Sequence, residues 1–150
     1  MKDIEILNIL KERLGNKTHI DDAVIELVES FDFNSLVDVS NFSKNQYKRI
    51  KLICTNNVAM YCIYWATDSY SPPHNHPTGG CILKIMRGKL AETNYRVISD
   101  KIELQSKQML VKDSIGIKYS DDLHSIKAIE DTVSIHLYFP GDYKPTYFNT

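Results

Sequence analysis

Between Tyr47 and Phe139 the chain is a succession of short runs rich in β-branched and aromatic residues, each closed by Pro, Gly, Asn or Asp. YKRIKLIC, a Thr55-Asn56-Asn57 turn and VAMYCIYWA read as a hairpin, and CILKIMR, AETNYRVI, KIELQ, IGIKY, HSIKAI and TVSIHLYF read as further strands. Many short strands at this spacing predict a mainly β fold, a sandwich or small barrel. In the last run Val133, Ile135, Leu137 and Phe139 fall on one face and Ser134, His136 and Tyr138 on the other. The first face is core. The second either meets water, as in an ordinary antiparallel sheet, or lines an interior.

The first third has a different period. Ile4, Leu7, Leu10 and Leu14 recur at helical spacing with Gly15 as a stop. Thr18 reads as the N-cap of a second helix, with Asp21 and Asp22 in its first turn and Leu27, Val28 and Phe31 on its inner face. Residues 34–45, rich in Ser and Asn, lead into the strands. A chain of 150 residues suits one domain that buries roughly two-thirds of its unfolded surface, so residues 1–45 are expected to form a helical part and 46–150 the β part of a single domain.

Charge narrows the partners. The 18 basic and 19 acidic residues nearly cancel, which disfavours nucleic acid or an anionic membrane and favours small molecules as partners; a monomer is expected. No apolar run is long enough to span a bilayer. The start, MKDIEILNILKERLG, places Asp3 and Glu5 among its apolar residues and has no small-residue cleavage site. Three cysteines cannot all pair, so a reducing, cytoplasmic setting is expected, with Cys54 and Cys62 as packing residues.

The densest chemistry lies in YSPPHNHPTGGCILKIMRG. His74 and His76 are two apart, so an extended backbone projects both imidazoles from one face toward one metal. Pro72, Pro73 and Pro77 remove backbone donors and stiffen the segment. His-x-His followed at fixed spacing by Cys81 and Gly88 resembles the first motif of the cupins, with Cys81 where most cupins carry a glutamate ligand. The resemblance implies a cupin-type small β-barrel, jelly-roll-like, with N-terminal helices, and His124 as the third ligand. None of the glycines, proline or asparagine usual around that histidine stands at its expected place. Three neutral imidazoles leave the full divalent charge available to an anionic substrate; the same set also fits zinc, copper or nickel.

Cys81-Ile-Leu83-Lys84, Gly88, Leu90, Glu92 and Thr93, with Tyr47-Lys-Arg49, Trp65 and Ser134-Ile-His136-Leu-Tyr138, resemble the cysteine dioxygenase (type I) family over roughly the last two-thirds of the chain. The resemblance implies Fe(II) held by His74, His76 and His124. It implies L-cysteine, chelated through sulfur and amine with its carboxylate gripped by Arg49 and assisted by Tyr47, and dioxygen as the second substrate. Ser134, His136 and Tyr138 would form a relay, with His136 behind the phenol rather than on the metal, and Cys81 would join Tyr138 by a thioether. A cis bond is implied at Phe139-Pro140. The match stops soon before Thr150, whereas relatives usually continue with more strands, so the resemblance leaves room for a shortened wall with either a more open site or an altered substrate choice. His19 is expected to be exposed and silent. A related dioxygenase for another thiol, such as 3-mercaptopropionate, is disfavoured by Arg49, since that branch typically has glutamine there. A cupin that binds a metal or ligand without turnover is disfavoured by the relay.

Overall fold

A sheet can be buried on both faces only if something covers each. Here helices cover one face of a sheet and a second sheet covers the other. The computed structural model describes residues 3–42 and 47–149. Two helices, α1 (Asp3–Leu14) and α2 (Asp22–Ser30), and two single 3-10 turns, Asn34–Leu36 and Val39–Asn41, precede nine strands. These are β1 (Tyr47–Cys54), β2 (Ala59–Trp65), β3 (Tyr70–His74), β4 (Cys81–Arg87), β5 (Lys89–Ile98), β6 (Lys101–Val111), β7 (Ile115–Lys118), β8 (Leu123–Ala128) and β9 (Thr132–Tyr138). The expected boundary between residues 45 and 46 lies outside the described residues.

All strand pairs are antiparallel, in a five-stranded sheet ordered β1-β2-β9-β4-β7 and a four-stranded sheet ordered β3-β8-β5-β6. Among the described residues no ladder joins the two, so the expected small barrel is realised as two facing sheets rather than a closed cylinder. The edges explain this: β7 spans four residues, and β3 carries Pro72 and Pro73, which cannot donate to a ladder. The register of β3 on β8 shifts between Ser71 and His74.

The helices pack on the five-stranded sheet. Ile6, Leu10, Leu14, Val24, Leu27 and Val28 meet Cys62, Tyr64, Ile82, Met86, Val133, Ile135 and Leu137. The other face meets the second sheet through Ile63, Trp65, Leu83, Ile85, Leu90, Leu110, Ile126 and Ala128. Hence β2, β4 and β9 are buried along almost their whole length although their residues alternate in direction.

The first helix ends at Gly15, as its spacing predicts, with φ +51°. Its inner row, however, is Ile6, Leu10 and Leu14, whereas Ile4 is 68% exposed. The second helix is capped by Asp21, which accepts from the Val24 amide at 2.9 Å, and not by Thr18. A carboxylate is the stronger acceptor there and complements the helix N-terminus. Cys62 is buried as expected, but Cys54 at the end of an edge strand is exposed. His19 is exposed. No helix is long and apolar enough to cross a membrane.

Gly88 turns the chain from β4 to β5 at φ +91°, and a Cβ there would stand 2.4 Å from Thr132 Oγ1 and 2.5 Å from the Asp131 carbonyl oxygen. Gly15 has its nearest neighbour at 3.6 Å. Gly88→Ala is therefore expected to cost about 1–3 kcal/mol beyond the backbone strain, and Gly15→Ala only about 1–2 kcal/mol. Urea unfolding of both variants measures this; equal losses would contradict the close approach.

Candidate metal centre

Two strands bring the histidines together. His74 closes β3 directly opposite His124 near the start of β8, and His76 follows two residues later. One ligand atom from each of the three lies within 4.8 Å of the others. The Nε2 atoms of His76 and His124 are 3.1 Å apart.

Each imidazole is oriented through its other nitrogen. Nδ1 of His74 donates to the Pro72 carbonyl at 2.7 Å, Nδ1 of His76 to the Asp122 carbonyl at 2.8 Å, and Nδ1 of His124 to Glu92 Oε2 at 2.7 Å. A carbonyl or carboxylate oxygen can only accept, so all three Nδ1 atoms carry the proton and the Nε2 lone pairs are left to converge. Burial keeps the rings neutral: His74 is lowered to about 4, His76 to about 2, and His124 is also lowered despite its carboxylate partner. Two neutral lone pairs facing at 3.1 Å repel unless a cation lies between them. The donor set thus fits a metal ion, and the carboxylate behind His124 is the usual means of fixing a ligating tautomer.

Glu92 has no role in the family resemblance beyond its place in the match, yet it is 1% exposed and central here. Burial alone would raise its pKa, but hydrogen bonds from His124 and Gln108, together with Lys118, bring it to about 2. Gln108 donates at 2.5 Å and Asn94 at 3.3 Å, and Lys118 Nζ stands 3.5 Å away while donating to Asn94 Oδ1 at 2.6 Å. A signal existed in the sequence: Glu92 stands two residues after Leu90 in an alternating run, on the inward face.

A cavity of 420 Å³ opens beside the histidines and is lined, among others, by Tyr47, Arg49, Cys81, His136 and Tyr138. The polar face of β9 therefore points inward and not to water. Trp65 Nε1 donates to Ser134 Oγ at 2.9 Å, Ser134 Oγ lies 2.7 Å from His136 Nε2, and His136 Nδ1 lies 3.3 Å from the Tyr138 hydroxyl. Indole is a donor only. Ser134 thus accepts from Trp65 and shares a second hydrogen bond with His136, whose other ring nitrogen reaches the phenol. Burial lowers His136 to about 3, so the ring is neutral, and it raises Tyr138 well above the phenol value. Trp65 was legible only as part of the match; its place at the head of this chain was not.

Cys81 faces Tyr138 directly across the β4–β9 ladder, and burial raises its thiol to about 12. Arg49 lies on β1 with its guanidinium carbon 4.2 Å above the Tyr61 ring and 5.6 Å from the Tyr138 ring centre. Tyr47, two residues earlier on the same face, packs edge-on against Trp65 at 4.8 Å. After β9 the chain still contributes to the cavity wall through Gly141, Asp142, Tyr143, Lys144, Pro145 and Tyr147. Asn75 ties that segment down: its side-chain oxygen accepts from the Tyr143 hydroxyl and the Thr146 amide, and its own amide donates to the Thr146 carbonyl. The Phe139-Pro140 bond is cis, as the resemblance implies.

Metal titration checks the donor set. His74→Ala, His76→Ala and His124→Ala should each abolish tight binding, and His136→Ala should leave it intact. Glu92→Gln should weaken binding roughly 10–100-fold by loosening His124. Unchanged affinity in Glu92→Gln would show that the carboxylate serves packing alone.

The fold has relatives among solved structures. A Klebsiella pneumoniae protein with a double-stranded β-helix domain superposes with a TM-score of 0.60 at 15% identity, covering 80% of this chain and 91% of that one. A cupin superfamily protein of Desulfitobacterium hafniense gives 0.55 at 15% identity over 82% and 95%. KdgF from Halomonas sp. gives 0.52 at 18% identity over 63% and 78%. At these identities the likeness establishes the cupin fold alone. The sequence pattern of the cysteine dioxygenase type I family extends over residues 3–148, helices included, and this chain belongs to that family.

Proposed function

We propose that the protein is a thiol dioxygenase that converts L-cysteine and dioxygen to cysteine sulfinate at an iron(II) centre held by His74, His76 and His124. The observation that carries this reading is the sharing of one cavity by three converging imidazoles, the Arg49 guanidinium and the Tyr138 relay. Iron bound there supplies the open positions and the redox chemistry through which a thiolate and dioxygen react.

The chain's own residues provide the rest. A guanidinium bonds a carboxylate at two points, worth about 1.5–3 kcal/mol for each charge-assisted bond, so Arg49 anchors the substrate end remote from sulfur. Tyr47 assists from the same strand face. The Tyr138 hydroxyl, held 3.3 Å from His136 Nδ1 on the cavity wall, is the group that would hydrogen-bond substrate sulfur or oxygen. Cys81, held as a neutral thiol, does not compete with the substrate thiolate. Its position opposite Tyr138 supports the thioether: S–H and a ring C–H break, an S–C bond forms, and dioxygen takes up two electrons and two protons. Small molecules are the proposed partners, with the protein acting as a monomer.

With isotopically labelled dioxygen, the iron-loaded protein should give cysteine sulfinate carrying two labelled atoms, read by mass spectrometry. Cystine as the sole product, or label arriving from water, would overturn the dioxygenase reading in favour of a binding protein. Arg49→Ala should lower use of cysteine at least tenfold while sparing cysteamine, which has no carboxylate; equal losses would place Arg49 in the fold instead. After prolonged turnover, peptide mapping should find Cys81 and Tyr138 in one species two hydrogens lighter, absent from Cys81→Ser. Cys81 recovered only as free thiol would count against the bond.

A further inference from the structure

The arginine of the cavity is held without an acid. Among the described residues no carboxylate forms an ion pair with Arg49. Its guanidinium lies instead against an aromatic surface, 4.2 Å above the centre of the Tyr61 ring. That ring sits in β2 one step diagonally from Arg49, which is paired with Ile63, and directly across from His136 in β9. It also meets Tyr138 edge-on, with centroids 5.7 Å apart and planes at 83°, and Lys51 Nζ approaches it at 5.7 Å. Tyr61, the guanidinium and Tyr138, whose ring centre is 5.6 Å from the guanidinium carbon, thus form one three-way cluster on the cavity wall in which Tyr61 makes the closer contact.

The mode of holding matters. A carboxylate partner would occupy the in-plane N–H groups, the same groups that fork onto a substrate carboxylate. An aromatic ring takes the face of the guanidinium and leaves that edge free. Resting on the function proposed above, we infer that Tyr61 is a positioning residue for Arg49, and that by fixing the guanidinium plane it makes the site selective for thiols that bear a carboxylate.

Two readouts test this, one of them independent of turnover. The chain has four arginines, Arg13, Arg49, Arg87 and Arg96, so in zinc-loaded protein labelled with 15N-arginine the Arg49 side-chain resonance can be assigned by its loss in Arg49→Lys. The ring current of Tyr61 should displace that resonance upfield in the wild type and in Tyr61→Phe, and most of the displacement should be lost in Tyr61→Leu and in Tyr61→Met, which refills the space without a ring and leaves only the more distant Tyr138 ring. In the iron-loaded enzyme Tyr61→Met should raise KM for L-cysteine roughly 3–30-fold, Tyr61→Phe should restore it, and KM for cysteamine should stay within twofold throughout. An Arg49 resonance indifferent to loss of the ring, or equal rises in KM for both thiols, would overturn the proposal. If the wild type oxidises neither thiol, the dioxygenase reading fails, while the resonance of Arg49 still decides whether Tyr61 holds it.

Discussion

The register of β9 between β2 and β4 is the constraint on which the centre depends. Side chains along a strand alternate, so a slip of one residue would send Ser134, His136 and Tyr138 under the helices and turn Val133, Ile135 and Leu137 into the cavity. Burial of those three apolar side chains is worth about 1.5–3 kcal/mol apiece, which opposes the slip before any polar contact is counted. The same register sets His136 opposite both Tyr61 and Leu83, and Tyr138 opposite Cys81. Lys84 adds an anchor from the helix side: its ammonium donates to the carbonyls of Val28 and Glu29, in the last turn of α2, at 3.1 and 3.0 Å. That contact ties the helix C-terminus to β4, where a cation is favoured. Helix packing, far from the histidines, therefore helps to aim the relay.

The elements that were legible in the sequence are those whose signal is local. YKRIKLIC, CILKIMR and TVSIHLYF declare strands through composition and alternation, and they fall on β1, β4 and β9 within a residue. His74 and His76 declare a shared direction through their spacing. What could not be read needed a partner distant in the chain. Ile6 rather than Ile4 faces the core because the sheet, and not the helix alone, decides which of two adjacent stripes is covered. Asp21 displaces Thr18 as a cap because the chain between the helices must first reach Gly79, whose carbonyl accepts from the Ile20 amide. Glu92 and Trp65 acquire their contacts with His124 and Ser134 only when strands far apart in sequence are paired, and the contact of Tyr61 with Arg49 needs the hairpin's register. Resemblance supplied the relay, but the donor at its head and the ring beneath the arginine came from the structure.

Burial and exposure divide the charges of the cavity: Arg49, Lys51, Lys118 and Lys144 line it against one acid, Asp142, while the deeper groups are neutral. The three imidazoles, the Cys81 thiol and the Tyr138 phenol are all kept uncharged by burial. The site nevertheless has its carboxylate. In place of a ligand at position 81, the acid is Glu92, which reaches His124 from behind. A carboxylate bound directly to a divalent ion would cancel half its charge; one separated from it by an imidazole, with Lys118 3.5 Å away, cancels less while still fixing the ring. An ion held this way would keep more of its charge for an anionic ligand such as the proposed thiolate. On the function proposed above, an anionic thiol would be held at its sulfur by the ion and at its carboxylate by Arg49, within the cavity that Tyr138 also lines.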